Sequence, residues 1–422
     1  MSPLKYLFLD FNSYFASVEQ QRMPELRGKP VAIVPVMSDA TCAIAASYEA
    51  KAYGIKTGTP VWEAKKKCPG LICVEADHKH YVEYHNKILD EIDKHIPVSA
   101  IHSIDEMSCE LQGKECTEEG GIALAKQIKR GLAENPEIGR YVRCSIGLST
   151  NRYLAKVATN LQKPDGLVIL PPEAVRERLA HISLIDLPGI GYNMHRRLLR
   201  AGIGDIDTFM RLAPKQMRAI WGSVEGERFW YKMRGVELAP FATEKRSIGH
   251  SHVLAPELRP APEAWHVAQR LLLKAASRLR RMNMLTNYMV LSVRVENGPR
   301  LSVEMRFSPV SDNPALMRHL IVLWQALVTQ HKFTRIKKVS VTFLSLVEPK
   351  VAQQPTLFDK SPTPRALYRA QAANRLSAAM DRLNGKYGRD TIVMGFTPQK
   401  VHAFSGTKIA FTRIPDLEEF HE

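Results

Sequence analysis

The sequence predicts a mixed α+β protein of about three domains. Its 422 residues allow that number at roughly 100 to 200 residues per domain. A composition of 45% hydrophobic and 24% charged residues is globular and excludes disorder throughout. Strand-like and helical apolar patterns interleave along the first 170 residues, as in α/β or α+β domains. The charge points to a polyanionic partner, because 59 Lys and Arg face 43 Asp and Glu, a net +16. Residues 1–172 hold 21 side chains of each sign, so the whole excess follows residue 172. A neutral front half and a basic back half suggest chemistry in one part and grip on a phosphate backbone in the other. Cys42, Cys68, Cys73, Cys109, Cys116 and Cys144 form no CxxC pair, which argues against a structural zinc. No stretch approaches the roughly 20 apolar residues that cross a bilayer, so a reducing, cytoplasmic setting without membrane contact is expected.

Leu4 to Leu9 reads as a short buried strand with Asp10 at its end. The segment from about 20 to 76, broken by Gly28, Pro30, Gly54, Gly58 and Pro60, reads as a small inserted subdomain. His78 to His95 has helical spacing, and Val98 to Ile104 and Met107 to Leu111 read as strands flanking Asp105 and Glu106. Glu118 to Leu132 is helical, Val142 to Leu148 is a strand, and Asn151 to Leu161 is a helix that Ser149 or Thr150 could cap.

In the basic half, Leu187-Pro-Gly-Ile-Gly191 separates two helical patterns, a candidate helix-hairpin-helix. Gly189 and Gly191 would let backbone amides approach a phosphate, and Arg196, Arg197 and Arg200 follow. An ordinary glycine turn between helices is the alternative. From Arg246 the order is strand, helix, strand, strand, helix, strand, which is ferredoxin-like. Its first helix carries Arg270, Lys274, Arg278, Arg280 and Arg281, a candidate phosphate-tracking surface or simply a solvated face. Residues 348–366 read as an extended linker, in which Gln354-Pro-Thr-Leu-Phe358 offers the apolar anchors Leu357 and Phe358 to a pocket on another protein.

Three carboxylates stand out: Asp10, Asp105 and Glu106. Adjacent strand residues face opposite ways, so Asp105 and Glu106 serve one site only if the chain turns or bulges there, or if they address two ions. Three acids brought together repel unless a cation neutralises them. Hard oxygen ligands favour Mg²⁺, and two such ions would clamp the attacking and leaving oxygens of a phosphoryl transfer. On the residues alone, scattered surface acids remain the readier interpretation.

The segments Leu9 to Glu19, Ser47-Tyr-Glu-Ala-Lys51, Ser103-Ile-Asp-Glu106, Leu154-Ala-Lys-Val-Ala158 with Lys163-Pro-Asp-Gly166, and the Leu187 to Gly191 hairpin resemble, in that order, the motifs of Y-family translesion DNA polymerases. The Asp-x-Asn form at residues 10–12, the Gln354 to Phe358 peptide and the further tail most resemble the UmuC-like catalytic subunit of polymerase V. The resemblance implies a right-hand architecture: palm 1–19 and 77–172, fingers 20–76, thumb 173–243, little finger 244–347, then a linker and tail, 348–422. It implies low-fidelity synthesis past damaged bases in DNA repair and SOS mutagenesis, at the nucleoid. Asp10, Asp105 and Glu106 fall on the family's acids for two Mg²⁺ ions, and Phe11 on its backbone-carbonyl ligand. Phe15 falls on the ring that rejects a 2′-hydroxyl, with Tyr14 beneath it. Tyr48, Lys51 and Lys163 fall where deoxynucleoside triphosphates are gripped, Lys51 standing where arginine is common. Gly189, Gly191, Arg196, Arg197, Arg278 and Arg280 would meet primer–template DNA. Gln354, Leu357 and Phe358 would meet a sliding clamp, and a UmuD-like dimer and a recombinase filament are implied partners. Asn12 stands where many relatives have aspartate, and Met107-Ser-Cys-Glu110 departs from the usual continuation. Two rivals remain: a catalytically inactive adaptor for DNA and clamp, and a helix-hairpin-helix glycosylase or nuclease using Asp186 or Asp205.

Overall fold

The computed structural model describes residues 3–239, 246–349, 364–388, 391–395 and 414. The docking peptide at 354–358 lies outside them. The chain divides into two compact units, residues 1–240 with 407–420, and residues 241–406 with 421–422.

The first unit begins with β1 (Tyr6–Phe11), α1 (Tyr14–Arg22), β2 (Val31–Val34), β3 (Ala45–Ala46), α2 (Tyr48–Lys51), α3 (Val61–Lys67) and β4 (Ile72–Glu75). It continues with α4 (His78–Asp93), β5 (Val98–Ser103), β6 (Glu106–Glu110), α5 (Glu118–Glu134), β7 (Cys144–Ser149), α6 (Arg152–Leu161) and β8 (Leu167–Ile169). Short helices follow: α7 (Val175–Arg178), α8 (Tyr192–Arg200), α9 (Ile206–Arg211), α10 (Pro214–Trp221) and α11 (Val224–Lys232). β1 is buried at every residue because both its faces are covered, so it reads as a continuous apolar run rather than an alternating one. It lies at the centre of a five-stranded sheet of order β5-β6-β1-β7-β8. Residues 31–75 form their own three-stranded sheet, β3-β2-β4.

Helix α6 lies unusually close to this sheet. A Cβ added at Gly147 on β7 would stand 2.0 Å from the Ala155 carbonyl oxygen, so only glycine admits the helix. The cap of α6 differs from expectation. Asn151 itself accepts the Leu154 amide at 2.8 Å, while Ser149 and Thr150 donate elsewhere, to the Leu170 and Gly235 carbonyls. The Asn151 amide nitrogen also donates to Lys232 O (2.8 Å) and Val236 O (3.0 Å), tying α6 to the end of α11 and the residues just beyond it. Asn151→Ala would remove the cap and orphan two carbonyls, and should cost about 2 kcal/mol in denaturant unfolding.

The expected first helix of the hairpin is a single 3₁₀ turn, Leu184–Asp186, rather than an α-helix. Leu184 and Leu187 are both buried, and a residue before proline resists helical geometry, so the chain turns at once into Pro188 and Gly189.

The second unit contains β9 (Ser247–Val253), α12 (Ala261–Arg281), β10 (Leu285–Val295), β11 (Arg300–Val310), α13 (Asn313–Gln330) and β12 (Ile336–Val347). These are the six elements expected, in the order expected. All neighbours in the sheet β11-β10-β12-β9 are antiparallel, and β12 separates the two strands joined by α12, a split βαβ arrangement. A further helix, α14 (Pro364–Tyr387), starts inside the stretch read as linker, with proline at its first turn where the missing N–H costs nothing. Among the described residues no helix is long and apolar enough to cross a membrane.

Candidate active site

Asp10 and Glu106 are register partners across β1 and β6, so the pairing, not the sequence, places these two carboxylates on one face. Asp105 lies in the tight turn between β5 and β6, where the register is irregular, which lets neighbouring residues serve one corner. The turn is pinned from three sides. Ser103 donates its hydroxyl to Asp105 Oδ1 at 2.6 Å, the Phe11 amide donates to Asp105 O at 2.9 Å, and buried His85 of α4 places Nδ1 2.7 Å from the Ile104 carbonyl oxygen. Phe11 thus ends β1 against both Asp105 and its β7 partner Cys144.

The electrostatics are those of crowded acids balanced by lysines. Burial, with Asp10 and Glu106 adding to it, raises the pKa of Asp105 above the ordinary carboxyl value, against the opposing Ser103 hydrogen bond. Lys156 of α6 donates to Asp10 Oδ2 and, at 2.7 Å, to Glu106 Oε1. Lys163 Nζ stands 2.7 Å from the same Asp10 oxygen. Burial works against the charge on Lys156, yet the two carboxylates outweigh it and raise its pKa. Lys156 sits in a motif the sequence displays, but helical periodicity marks it only as a charged position on an amphipathic helix. The function of that charge appears only when α6 is laid across β1.

The loop that carries Lys163 is set by Asn12. Its Oδ1 accepts the Asp165 amide at 2.7 Å and its amide nitrogen donates to Ser145 Oγ at 3.0 Å. An aspartate would lose that second donor, so the departure at residue 12 has a structural use. Gly166 completes the turn, since a Cβ there would fall 1.8 Å from the Gln162 carbonyl oxygen. Tyr48 and Lys51 lie on α2 with the ammonium 4.4 Å from the ring centroid. Burial and then Asp10 push the Tyr48 pKa up to about 12, and desolvation with the like charge of Lys163 pushes that of Lys51 down.

Phe15 is buried, stacked on Tyr81 at 4.4 Å between centroids and met edge-on by His78 at 5.4 Å. Tyr14 is buried below it with its hydroxyl donated to the Tyr81 carbonyl at 2.7 Å, so its polar end is committed to the core. Both His78 ring nitrogens are buried without a hydrogen-bond partner, and burial lowers the pKa of His78 to about 4. A neutral imidazole beside the ring results.

Gly189 has φ +91°, a turn that glycine favours, and Gly191 has nothing within 4 Å of an added Cβ, leaving the start of α8 open. Arg196 and Arg197 are exposed on α8, though Arg197 donates to the Trp221 carbonyl at 3.0 Å. Asp186 is exposed, and Asp205 caps α9 by accepting the Thr208 amide at 2.7 Å. In the second unit, burial first and then Lys274, Arg278 and Arg281 lower the pKa of His250 on β9 to about 4. Arg280 is occupied: it grips Asp381 of α14 at 2.6 and 2.8 Å and donates to Ser311 O and Asn313 Oδ1. Its neighbours on the basic helix look alike in sequence, and its bonds to Asp381, Ser311 and Asn313 are visible only in the structure. Arg280→Ala should lower the stability of this unit by about 2 kcal/mol and raise hydrogen exchange along α14.

Among the described residues, no three His, Cys, Asp or Glu side chains are gathered closely enough to hold a metal ion without rearrangement. The donor chemistry nevertheless fits a hard divalent cation, because Asp10, Asp105 and Glu106 supply carboxylate oxygens.

Residues 9–160 match the model of the impB/mucB/samB family and residues 245–357 that of the impB/mucB/samB family C-terminal domain. A protein of Moorella thermoacetica named DNA polymerase IV is 30% identical over 407 residues, covering 93% of this chain and 95% of its own. One of Alkalilimnicola ehrlichii with the same name is 28% identical, over 85% of this chain and all of the relative. A chimeric Y-family DNA polymerase of known structure superposes with a TM-score of 0.67 at 23% identity, covering 82% of this chain and 99% of that one. An insertion ternary complex of the Dbh DNA polymerase gives 0.50 at 23% identity, with the same coverage. At such identity these structures show the fold, which is that of the Y-family polymerases. The likeness to the Moorella protein, running along nearly the whole of both chains, shows the family: this chain belongs to the Y-family DNA polymerases. The relatives carry the polymerase IV name and lend no support to the UmuC-like placement.

Proposed function

We propose that the chain is a metal-dependent, template-directed DNA polymerase that extends a primer past damaged bases. The observation that carries the reading is the register pairing of Asp10 with Glu106 at one end of the five-stranded sheet, with Asp105 in the adjoining turn electrostatically coupled to both and Asp10 coupled in turn to Lys163, Lys51 and Tyr48. The primer 3′-hydroxyl would attack the α-phosphate and pyrophosphate would leave. Asp10, Asp105, Glu106 and the Phe11 carbonyl would hold two Mg²⁺ ions, which supply Lewis-acid stabilisation of the attacking and leaving oxygens when bound. Lys163 and Lys51 would neutralise and orient the triphosphate as point charges, and Tyr48 would donate its hydroxyl there. The Phe15 ring, braced by Tyr81 and His78, would reject a ribose 2′-hydroxyl. The glycine hairpin with Arg196 and Arg197, and Arg278 of the little finger, would follow the duplex backbone without reading bases, so affinity would fall steeply with salt. That one structural neighbour is a ternary insertion complex supports DNA and nucleotide as partners.

Gln354, Leu357 and Phe358 would dock on a sliding clamp and raise the local concentration of enzyme at the primer end. The finer placement, with polymerase V, a UmuD-like dimer, a recombinase filament and a role in SOS mutagenesis, rests on Asn12 and the tail alone. Primer extension on undamaged and abasic templates tests the reading, comparing the wild type with the pair Leu357→Ala and Phe358→Ala, with and without clamp. The wild type should incorporate nucleotides on both templates and be stimulated by clamp, and the double variant should keep the basal rate and lose the stimulation. Absence of incorporation would leave only a DNA- and clamp-binding adaptor, and equal stimulation of both proteins would remove the docking peptide.

A further inference from the structure

We infer that Lys156, assisted by Lys163, is a built-in counter-cation of the carboxylate cluster, an occupant that a divalent ion must displace in order to bind. The inference rests on the metal-dependent reading above and adds a competitor to it. Asp10 is 5% exposed, and a buried carboxylate with no compensating charge is costly. One ammonium answers that cost twice, bonding Asp10 Oδ2 and Glu106 Oε1 together, and a second approaches the same Asp10 oxygen from the Lys163 side. A divalent ion seated on Asp10 and Glu106 needs those same oxygens and would face two positive charges within a few ångströms, which is strongly repulsive in a partly buried site.

The backbone around Lys156 is closely packed, whereas its side chain is a flexible stem. Helix α6 is fixed by the Gly147 contact and the Asn151 cap, so the four-carbon stem must supply any retreat. The Phe8 ring, whose centroid lies 5.4 Å from the Lys156 ammonium, offers a neighbouring surface that tolerates a cation. The lysine therefore keeps the acids compact and sets the concentration at which an ion replaces it. It is a positioning residue, acting on the ion through its ligands.

Mn²⁺ binding to the full-length, DNA-free protein tests this, with free Mn²⁺ read by electron paramagnetic resonance and thermal unfolding followed with and without the ion. Lys156→Met should bind Mn²⁺ about tenfold tighter or more, as removal of a nearby unit charge implies. It should start from a lower Tm than wild type and gain more from Mn²⁺. Lys156→Arg, which keeps the charge, should stay within about threefold of wild type, and Lys163→Met should tighten binding by a smaller factor. Should Lys156→Met fail to fold, the Lys163→Met comparison carries the test alone. Equal or weaker Mn²⁺ affinity in the methionine variants, beside normal wild-type binding, would overturn the competition and leave the polymerase reading intact. Failure of every protein, wild type included, to bind Mn²⁺ at millimolar concentration would overturn both.

Discussion

Glu106→Ala and Asp105→Ala should each slow primer extension about a thousandfold or more, while affinity for primer–template stays within about twofold of wild type. A carboxylate that holds an ion at the reacting oxygens contributes several kcal/mol to the transition state, and each 1.36 kcal/mol is a factor of ten. Neither residue carries charge that a DNA backbone would seek. Both variants should fold, because Lys156 keeps Asp10 as a partner when Glu106 is lost, and the turn at 105 keeps the Phe11 amide and His85 anchors, which go to backbone oxygens. Single-turnover kinetics beside a DNA-binding isotherm separate the two effects. Loss of binding in parallel with rate would mean that the acids shape the DNA site, and full retention of rate would mean that they are not its chemistry.

The second large effect concerns sugar choice. Phe15→Ala should raise ribonucleotide insertion relative to deoxynucleotide insertion on the order of a hundredfold, since opening a pocket by a whole ring removes the steric penalty against one added hydroxyl. The ring is also part of the core, stacked on Tyr81, so the variant should lose about 3 kcal/mol of stability as well. The ratio of the two insertion efficiencies, measured on one preparation, cancels that loss. An unchanged ratio would mean that the ring serves packing and not selection.

Much of this architecture is legible in the residues. The all-apolar run of β1, the helical spacing of α4 and α5, and the alternating elements after Arg246 follow from periodicity, and the structure has each of them within a few residues of the expected bounds. The site is legible only in part. Asp10 and Glu106 are 96 positions apart, and their register is decided by the burial of the whole β6–β1–β7 group, which no local pattern encodes. For the same reason Lys156 gives no sign of its partners, and Arg280 looks like any other arginine of α12 until Asp381 is seen beside it. The cap of α6 falls on Asn151 rather than on Ser149 or Thr150 because all three residue types can cap a helix, and only the carbonyls waiting at 170 and 235 assign the first two elsewhere. The prolines of 348–366 read as linker, yet Pro364 opens helix α14 rather than forbidding it.

The most direct measurement is a crystal structure of the protein with primer–template, a non-reacting deoxynucleoside triphosphate and Mn²⁺, in which anomalous scattering locates the ions. The account predicts Mn²⁺ coordinated by carboxylate oxygens of Asp10, Asp105 and Glu106, with the Lys156 ammonium withdrawn from Asp10 and the triphosphate against Lys163. Manganese elsewhere, or Asp10 still bridged to Lys156 beside a bound triphosphate, would contradict it.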